Sequence, residues 1–242
     1  MIKCVIFDFG DTLSNAKKSN EITQKECPEL SILQKHKPNL TKTGLMETKK
    51  RTEELYRNSN YLDIQKDPYI FTRILLDELG LAFDKTLCDE CENIFWEDRA
   101  GNTELMPNAK NLLLYLKDNN ILLAVITNTT DGHNAKISKN HGIFDLFDEF
   151  VESHKCGGVK SELKIFEHFL EQINKNKQKV ILPAECLMVG NNLNEDTAAK
   201  KVGMKTVILK TNIHVSQLAE IIEPDYYIDD LIDIKEIVEE LR

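Results

Sequence analysis

Long apolar runs are missing from this chain of 242 residues. No stretch approaches the roughly 18 to 20 apolar residues that a membrane-crossing helix needs. The start, Met1-Ile2-Lys3, leads straight into a short apolar segment and not into a charged region followed by a signal core. Basic charge is also in deficit: 31 Lys and Arg stand against 40 Asp and Glu, a net charge of -9 with a pI near 5.3. Nucleic acids and anionic membrane surfaces are held by clustered Lys and Arg, so neither is an expected partner. The Lys-rich run 174–179 reads as a solvated loop. A disulfide framework is absent as well, because six cysteines scattered at 4, 27, 88, 91, 156 and 186 form no compact pattern in a chain this long. A reducing cytoplasm is the expected home. Cys88 and Cys91 have CxxC spacing, yet no second pair completes a tetrahedral zinc site. Leu87, Cys88, Cys91, Ile94 and Phe95 fall at helical spacing, so the two thiols read as small hydrophobes of a helical core.

What is present is an alternation of short apolar runs and helical patterns. Val5 to Phe7, Leu122 to Ile126, Leu187 to Val189 and Thr206 to Leu209 are each apolar or β-branched almost throughout, as parallel strands buried on both faces should be. Between them, Pro107 to Asn119 starts with Pro at a first helical position, and Ile165, Phe166, Phe169, Leu170 and Ile173 form one stripe. Strand, helix and strand in repetition imply an α/β fold with a doubly wound parallel sheet. From Ser14 to about Thr103 the strand signal disappears. Helical patterns run from Met46 to Asn58, from Asp67 to Leu79 and from Lys85 to Arg99, while Ser14 to Thr43 is polar and the least legible part. The expected organisation is a Rossmann-like core of residues 1–14 and 103–242, interrupted by an all-helical insertion at 15–102.

Four segments carry chemistry, in fixed order. Asp8-Phe9-Gly10-Asp11-Thr12-Leu13 follows the first apolar run and places a carboxylate where open sheets bind ligands. Val125-Ile126-Thr127-Asn128 ends the second run. Lys160 heads Ser161-Glu162-Leu163-Lys164-Ile165-Phe166, after Gly157 and Gly158. Val189-Gly190-Asn191-Asn192 is followed by Asp196. This set resembles the four motifs of the haloacid dehalogenase superfamily, subclass I with a helical cap, whose members are mostly magnesium-dependent phosphatases. The resemblance covers nearly the whole chain and implies that the helical insertion is a cap that closes over small substrates.

Phosphoryl transfer to an aspartate needs an in-line carboxylate, a divalent cation against the phosphate charge, donors for the equatorial oxygens and a proton shuttle. The resemblance gives Asp8 as nucleophile, Thr127 and Lys160 as catalytic partners, and Asn128 and Asp11 as substrate-binding groups. The Thr127 hydroxyl and nearby backbone N–H groups could hold a phosphate oxygen, and the Lys160 ammonium could neutralise carboxylate and phosphate together. Asp8, the Gly10 carbonyl, Asn191 and Asp196 are the expected oxygen ligands of a Mg2+ ion. Asp196 has a competing reading as the N-terminal cap of a helix through Ala198 to Val202.

Two positions depart from the family pattern. The second residue after the nucleophile is usually an aspartate serving as acid and base, and here it is Gly10; Asp11 lies one place later and points elsewhere. Loss of that help would cost roughly 10² to 10⁴ in rate without abolishing turnover. Asn191 stands where an acidic metal ligand is usual and offers an oxygen without charge. Three readings follow: a phosphatase of a small phosphorylated metabolite, a metal-free hydrolase of carbon–halogen bonds, and a binding or regulatory protein without turnover. Tyr56, Tyr61 and Trp96 are candidates for the substrate lining, although helical aromatics usually serve the core. A monomer or simple homodimer is expected.

Overall fold

A computed structural model of the chain describes residues 1–58, 69–129, 132–175, 180–215 and 220–242. Tyr61 and most of the Lys-rich run lie outside the described residues. The chain divides into two compact units, Met1–Asn15 with Glu104–Arg242, and Ala16–Thr103.

The first unit is built on a parallel sheet of six strands: β1 (Cys4–Phe7), β2 (Leu122–Thr127), β3 (Glu149–Glu152), β4 (Cys186–Gly190), β5 (Lys205–Leu209) and β6 (Tyr226–Ile228). Their order is β3-β2-β1-β4-β5-β6. The α/β doubly wound fold expected from the sequence is the one observed. β1 is central because all four of its residues are fully buried, and its register pairs Phe7 with Val125 on one side and Val189 on the other. Side chains alternate across the sheet. Cys4 and Ile6 therefore share a cluster with Ala124, Ile126, Cys186 and Met188, covered by Ile165, Phe166, Phe169 and Ile173 of helix Lys164–Asn174. Burying each of those large side chains is worth about 1.5–3 kcal/mol. The other face is met by helix Ala109–Asp118, which buries Leu112, Leu113 and Leu116 and packs against β2.

Two strands escaped the sequence reading. β3 begins and ends in glutamate, and β6 is three residues long with an exposed tyrosine, so neither shows a buried apolar run. Helix Ala109–Asp118 starts later than the proline suggested, because Asn108 takes a left-handed conformation at its start (φ 60°) and Pro107 falls in the preceding turn.

The second unit is helical: Ala16–Glu26, Leu30–Leu33, Lys42–Asn58, Ile70–Glu78 and Lys85–Asn102. Helix Ala16–Glu26 was illegible because it buries Ser19 and Thr23 and no apolar stripe; Thr23 Oγ1 donates instead to Asp98 at 2.7 Å. Cys27, Cys88 and Cys91 lie in its core with Leu33, Leu45, Leu75 and Leu76. Tyr56 packs edge-on against Phe71, and Trp96 Nε1 donates to Glu92. Among the described residues no helix is long and apolar enough to cross a membrane.

Candidate active site

The strand order sets the site. The chain leaves β1 toward β2 and β3, then returns to β4 beside β1 and continues to β5 and β6, so the loops after β1 and β4 diverge at the carboxyl edge. Open α/β sheets bind ligands at such a switch point. Asp8 follows β1 and Asn191 follows β4. Asp8 N–H donates to the Val189 carbonyl at 2.8 Å, holding the two loops in register.

Lys160 lies in a single turn of 3-10 helix, Lys160–Glu162, and is only 1 % exposed. Its Nζ is 2.5 Å from Asp8 Oδ1 and 2.6 Å from Asp196 Oδ1. A lysine buried this deeply needs such partners, since an unpaired buried ammonium would give up its proton. Burial pulls its pKa down, and the charges of Asp196 and Asp8 overcome this and hold it above the ordinary lysine value. Burial pushes the Asp8 carboxyl up, Lys160 opposes and Asp196 adds to the rise, leaving it at about 7. The ammonium is the firm member of this group, and the two carboxylates share it.

Asp196 does not cap the 3-10 helix Thr197–Val202 through its side chain. Its Oδ1 holds Lys160 and its Oδ2 accepts from Asn192 N–H at 2.8 Å, so both oxygens are engaged and each keeps a lone pair. Asn191 is buried, and its orientation is fixed: Nδ2 donates to the Asn212 carbonyl at 2.7 Å, which turns Oδ1 toward Thr12 Oγ1 at 3.4 Å. An oxygen and not the amide nitrogen therefore faces the loop after β1. With an Asp8 oxygen and the Gly10 carbonyl on that loop, the donors are hard oxygens that suit a small divalent cation. Only one of them carries charge. Among the described residues no group of three or more His, Cys, Asp or Glu side chains is arranged to hold a metal by itself.

Thr127 ends β2, buried, with its Oγ1 accepting from Asn134 Nδ2 at 3.1 Å. Asn128 is engaged at both ends of its amide: Nδ2 donates to Glu195 Oε2 at 2.7 Å, and Oδ1 accepts from Lys160 N–H at 3.2 Å. Gly10 bridges to Ser14 in the turn after β1. Asp11 is half-buried in a left-handed conformation (φ 56°), with its N–H donating to the Ser14 carbonyl at 2.7 Å. Thr12, Asn134 and Asn212 were not singled out in the sequence. Thr12 carried a signal in the segment after Asp8, whereas Asn134 and a backbone carbonyl at Asn212 carry none.

The comparisons with known proteins bear on the fold and the family. The glyceraldehyde 3-phosphate phosphatase of Methanothermobacter thermautotrophicus is 24% identical over 98% of this chain and 100% of its own length. Among solved structures, a HAD phosphatase from Thermococcus onnurineus superposes with a TM-score of 0.69 at 21% identity, covering 98% of each chain. A 2-haloacid dehalogenase from Pseudomonas syringae pv. Tomato superposes with a TM-score of 0.72 at 19% identity over 100% of both. At these identities the structures show a shared fold alone. The sequence profile of haloacid dehalogenase-like hydrolases matches residues 2–203, and the chain belongs to that family of hydrolases.

Proposed function

We propose that the protein is a Mg2+-dependent phosphatase of small phosphorylated metabolites, acting through an aspartyl phosphate on Asp8. The observation that carries this reading is the Lys160 ammonium, buried and shared between Asp8 and Asp196 at the end of the central strand. A carboxylate attacking an anionic phosphate meets repulsion, and a fixed cation placed between them lowers it without reorganisation. Asp8 Oδ1 is held by Lys160 and keeps a lone pair for a cation, which leaves its other oxygen for attack on phosphorus. As the Asp8–phosphorus bond forms, the bond to the leaving oxygen breaks; water then cleaves the acyl phosphate and regenerates the carboxylate.

The Thr127 hydroxyl accepts from Asn134, so its own proton is directed away from that bond and is available to an equatorial phosphate oxygen. A bound Mg2+ would supply positive charge against the phosphate. The residues that would hold it are Asp8, Asn191 and the Gly10 carbonyl, with Asp196, whose oxygens also serve Lys160 and Asn192 N–H, as the remaining candidate. With a neutral amide at Asn191, the site should hold the ion more weakly than one with a carboxylate there. The phosphatase names of the relatives favour a phosphorylated small molecule over a haloacid, and the first of them acts on a three-carbon phosphate.

The test is phosphate release from an aryl phosphate and a panel of three-carbon, sugar and nucleotide phosphates, with and without Mg2+. Metal-dependent release on at least one class is expected. Halide release from a 2-haloacid without metal, and no phosphate release, would replace this reading with that of a dehalogenase.

A further inference from the structure

The hydrogen bond between Asn128 and Glu195 runs across the mouth of the site. Asn128 follows β2 and Glu195 lies in the loop after β4, on either side of β1. Neighbouring strands are about 4.8 Å apart, so this contact joins loops whose strands lie two spacings apart, with Asp8 at the end of the strand between them. Both partners are constrained. Glu195 is 9 % exposed and accepts on Oε2 from Asn128 at 2.7 Å. The carboxylate can only accept and the Lys160 N–H can only donate, so the Asn128 amide has one orientation that satisfies both. Turned over, it would set its oxygen against Glu195 and its N–H2 against the Lys160 N–H.

We propose that Glu195 and Asn128 are positioning residues for Lys160: Glu195 sets the orientation of the Asn128 amide, whose oxygen then pins the Lys160 backbone and aims its ammonium between Asp8 and Asp196. The chain is continuous on the page, from Glu195 Oε2 through Asn128 Nδ2 and Oδ1 to Lys160 N–H, and from the same residue's Nζ to both carboxylates. It assigns Asn128 a positioning role, since each end of its amide already holds a protein partner. The turn being pinned needs such support, because Leu163, three residues on, is held in a left-handed conformation (φ 64°) that a leucine does not favour. The catalytic part of this inference rests on the phosphatase reading; the positioning itself does not.

The decisive experiment exchanges donor and acceptor. In Asn128→Asp two carboxylates face each other, while the double variant Asn128→Asp with Glu195→Gln restores a donor opposite an acceptor, keeps an oxygen for the Lys160 N–H and keeps the total charge. The expected result is a fall in kcat of about tenfold or more for Asn128→Asp with KM changed less than about threefold, and recovery of most of kcat in the double variant. Amide hydrogen exchange at Lys160, measured without substrate, should quicken in Asn128→Asp and slow again in the double variant. Glu195→Ala should quicken it too, which keeps the test available if Asn128→Asp does not fold. The proposal is overturned if the double variant is no better than Asn128→Asp in both readouts, if Asn128→Asp or Glu195→Ala behaves as the native protein, or if the loss falls on KM alone as substrate contact would require. Should the native protein release no phosphate from any substrate, the phosphatase reading falls, and the exchange pattern at Lys160 by itself upholds or overturns the positioning.

Discussion

Gly190 and Asp196 are in such close contact that a Cβ on Gly190 would lie 2.0 Å from Asp196 Oδ2 and 2.2 Å from its Cγ. The glycine at the end of β4 is thus a packing requirement of the carboxylate that holds Lys160. Gly190→Ala should displace Asp196, lower stability by about 1–3 kcal/mol through overpacking and reduce phosphate release at least tenfold. Thermal unfolding and turnover measured together check this, and a variant with native values in both would show that Asp196 can move freely.

Removing the shared cation should be costlier. Lys160→Met leaves the carboxylates of Asp8 and Asp196 buried around an apolar side chain, and breaking a buried ion pair from one side costs about 3–5 kcal/mol. The second substitution Asp196→Asn in that background should recover part of the loss by removing one of the stranded charges. Urea unfolding of the native protein, the single variant and the double variant gives both numbers. Equal stability of native and Lys160→Met would mean that the ammonium is not paired as described.

Asp225 ties β5 to the segment before β6, accepting from Thr206 N–H at 2.8 Å, Thr206 Oγ1 at 3.2 Å and Lys200 at 3.1 Å. Burial alone would raise its pKa, but these bonds outweigh it and bring the carboxyl below its ordinary 3.8. A lowered folded pKa means that the charged form stabilises the fold above the unfolded value, and that this contribution is lost as pH falls through the folded one. Asp225→Ala should therefore be less stable than the native protein by about 1–3 kcal/mol near neutrality, because it orphans the buried Thr206 N–H. The gap should narrow below about pH 4. Melting temperatures of both proteins across pH 3 to 7 would show it, and a gap that widens in acid would contradict the assignment.

The cysteines should react unevenly. Burial pushes the Cys91 thiol up to about 12 and raises Cys27 as well, so neither supplies thiolate at neutral pH. Of the six, all thiols, only Cys156 is partly exposed. A chromogenic disulfide reagent should titrate one thiol quickly in the native protein and all six after unfolding. Fast reaction of Cys27, Cys88 or Cys91 in the folded state would show that the helical core opens, and of Cys4 or Cys186 that the core around the sheet does.

Much of the site was legible in the sequence because its parts follow buried strands. Asp8 and the segment of Asn191 stand after apolar runs, Thr127 ends one, and Lys160 precedes an amphipathic helix; the fold then brings Asp8, Lys160 and Asp196 within hydrogen-bond reach. The cross-strand bonds were not legible. Nothing in the spacing of Asn128 and Glu195, 67 positions apart, says that their side chains meet. Asn191 read as a weakened ligand, and its orientation comes from the backbone carbonyl of Asn212, which no side-chain pattern records. The competing cap reading of Asp196 fitted the local sequence, but the side chain is engaged by Lys160 and Asn192. Strands β3 and β6 were missed for a related reason, since the glutamates that end β3 and the shortness and exposed tyrosine of β6 take the place of the apolar runs that marked the central four.

The central claim is that Asp8 carries the phosphoryl group. The most direct measurement is mass spectrometry of the Asp8 peptide after acid quench during turnover with Mg2+ and an active phosphate ester. The expected result is a fraction of that peptide heavier by one phosphoryl group in the native protein, and none in Asp8→Asn, which should also release no phosphate. Undiminished phosphate release by Asp8→Asn, or a phosphoryl group on another residue, would contradict it.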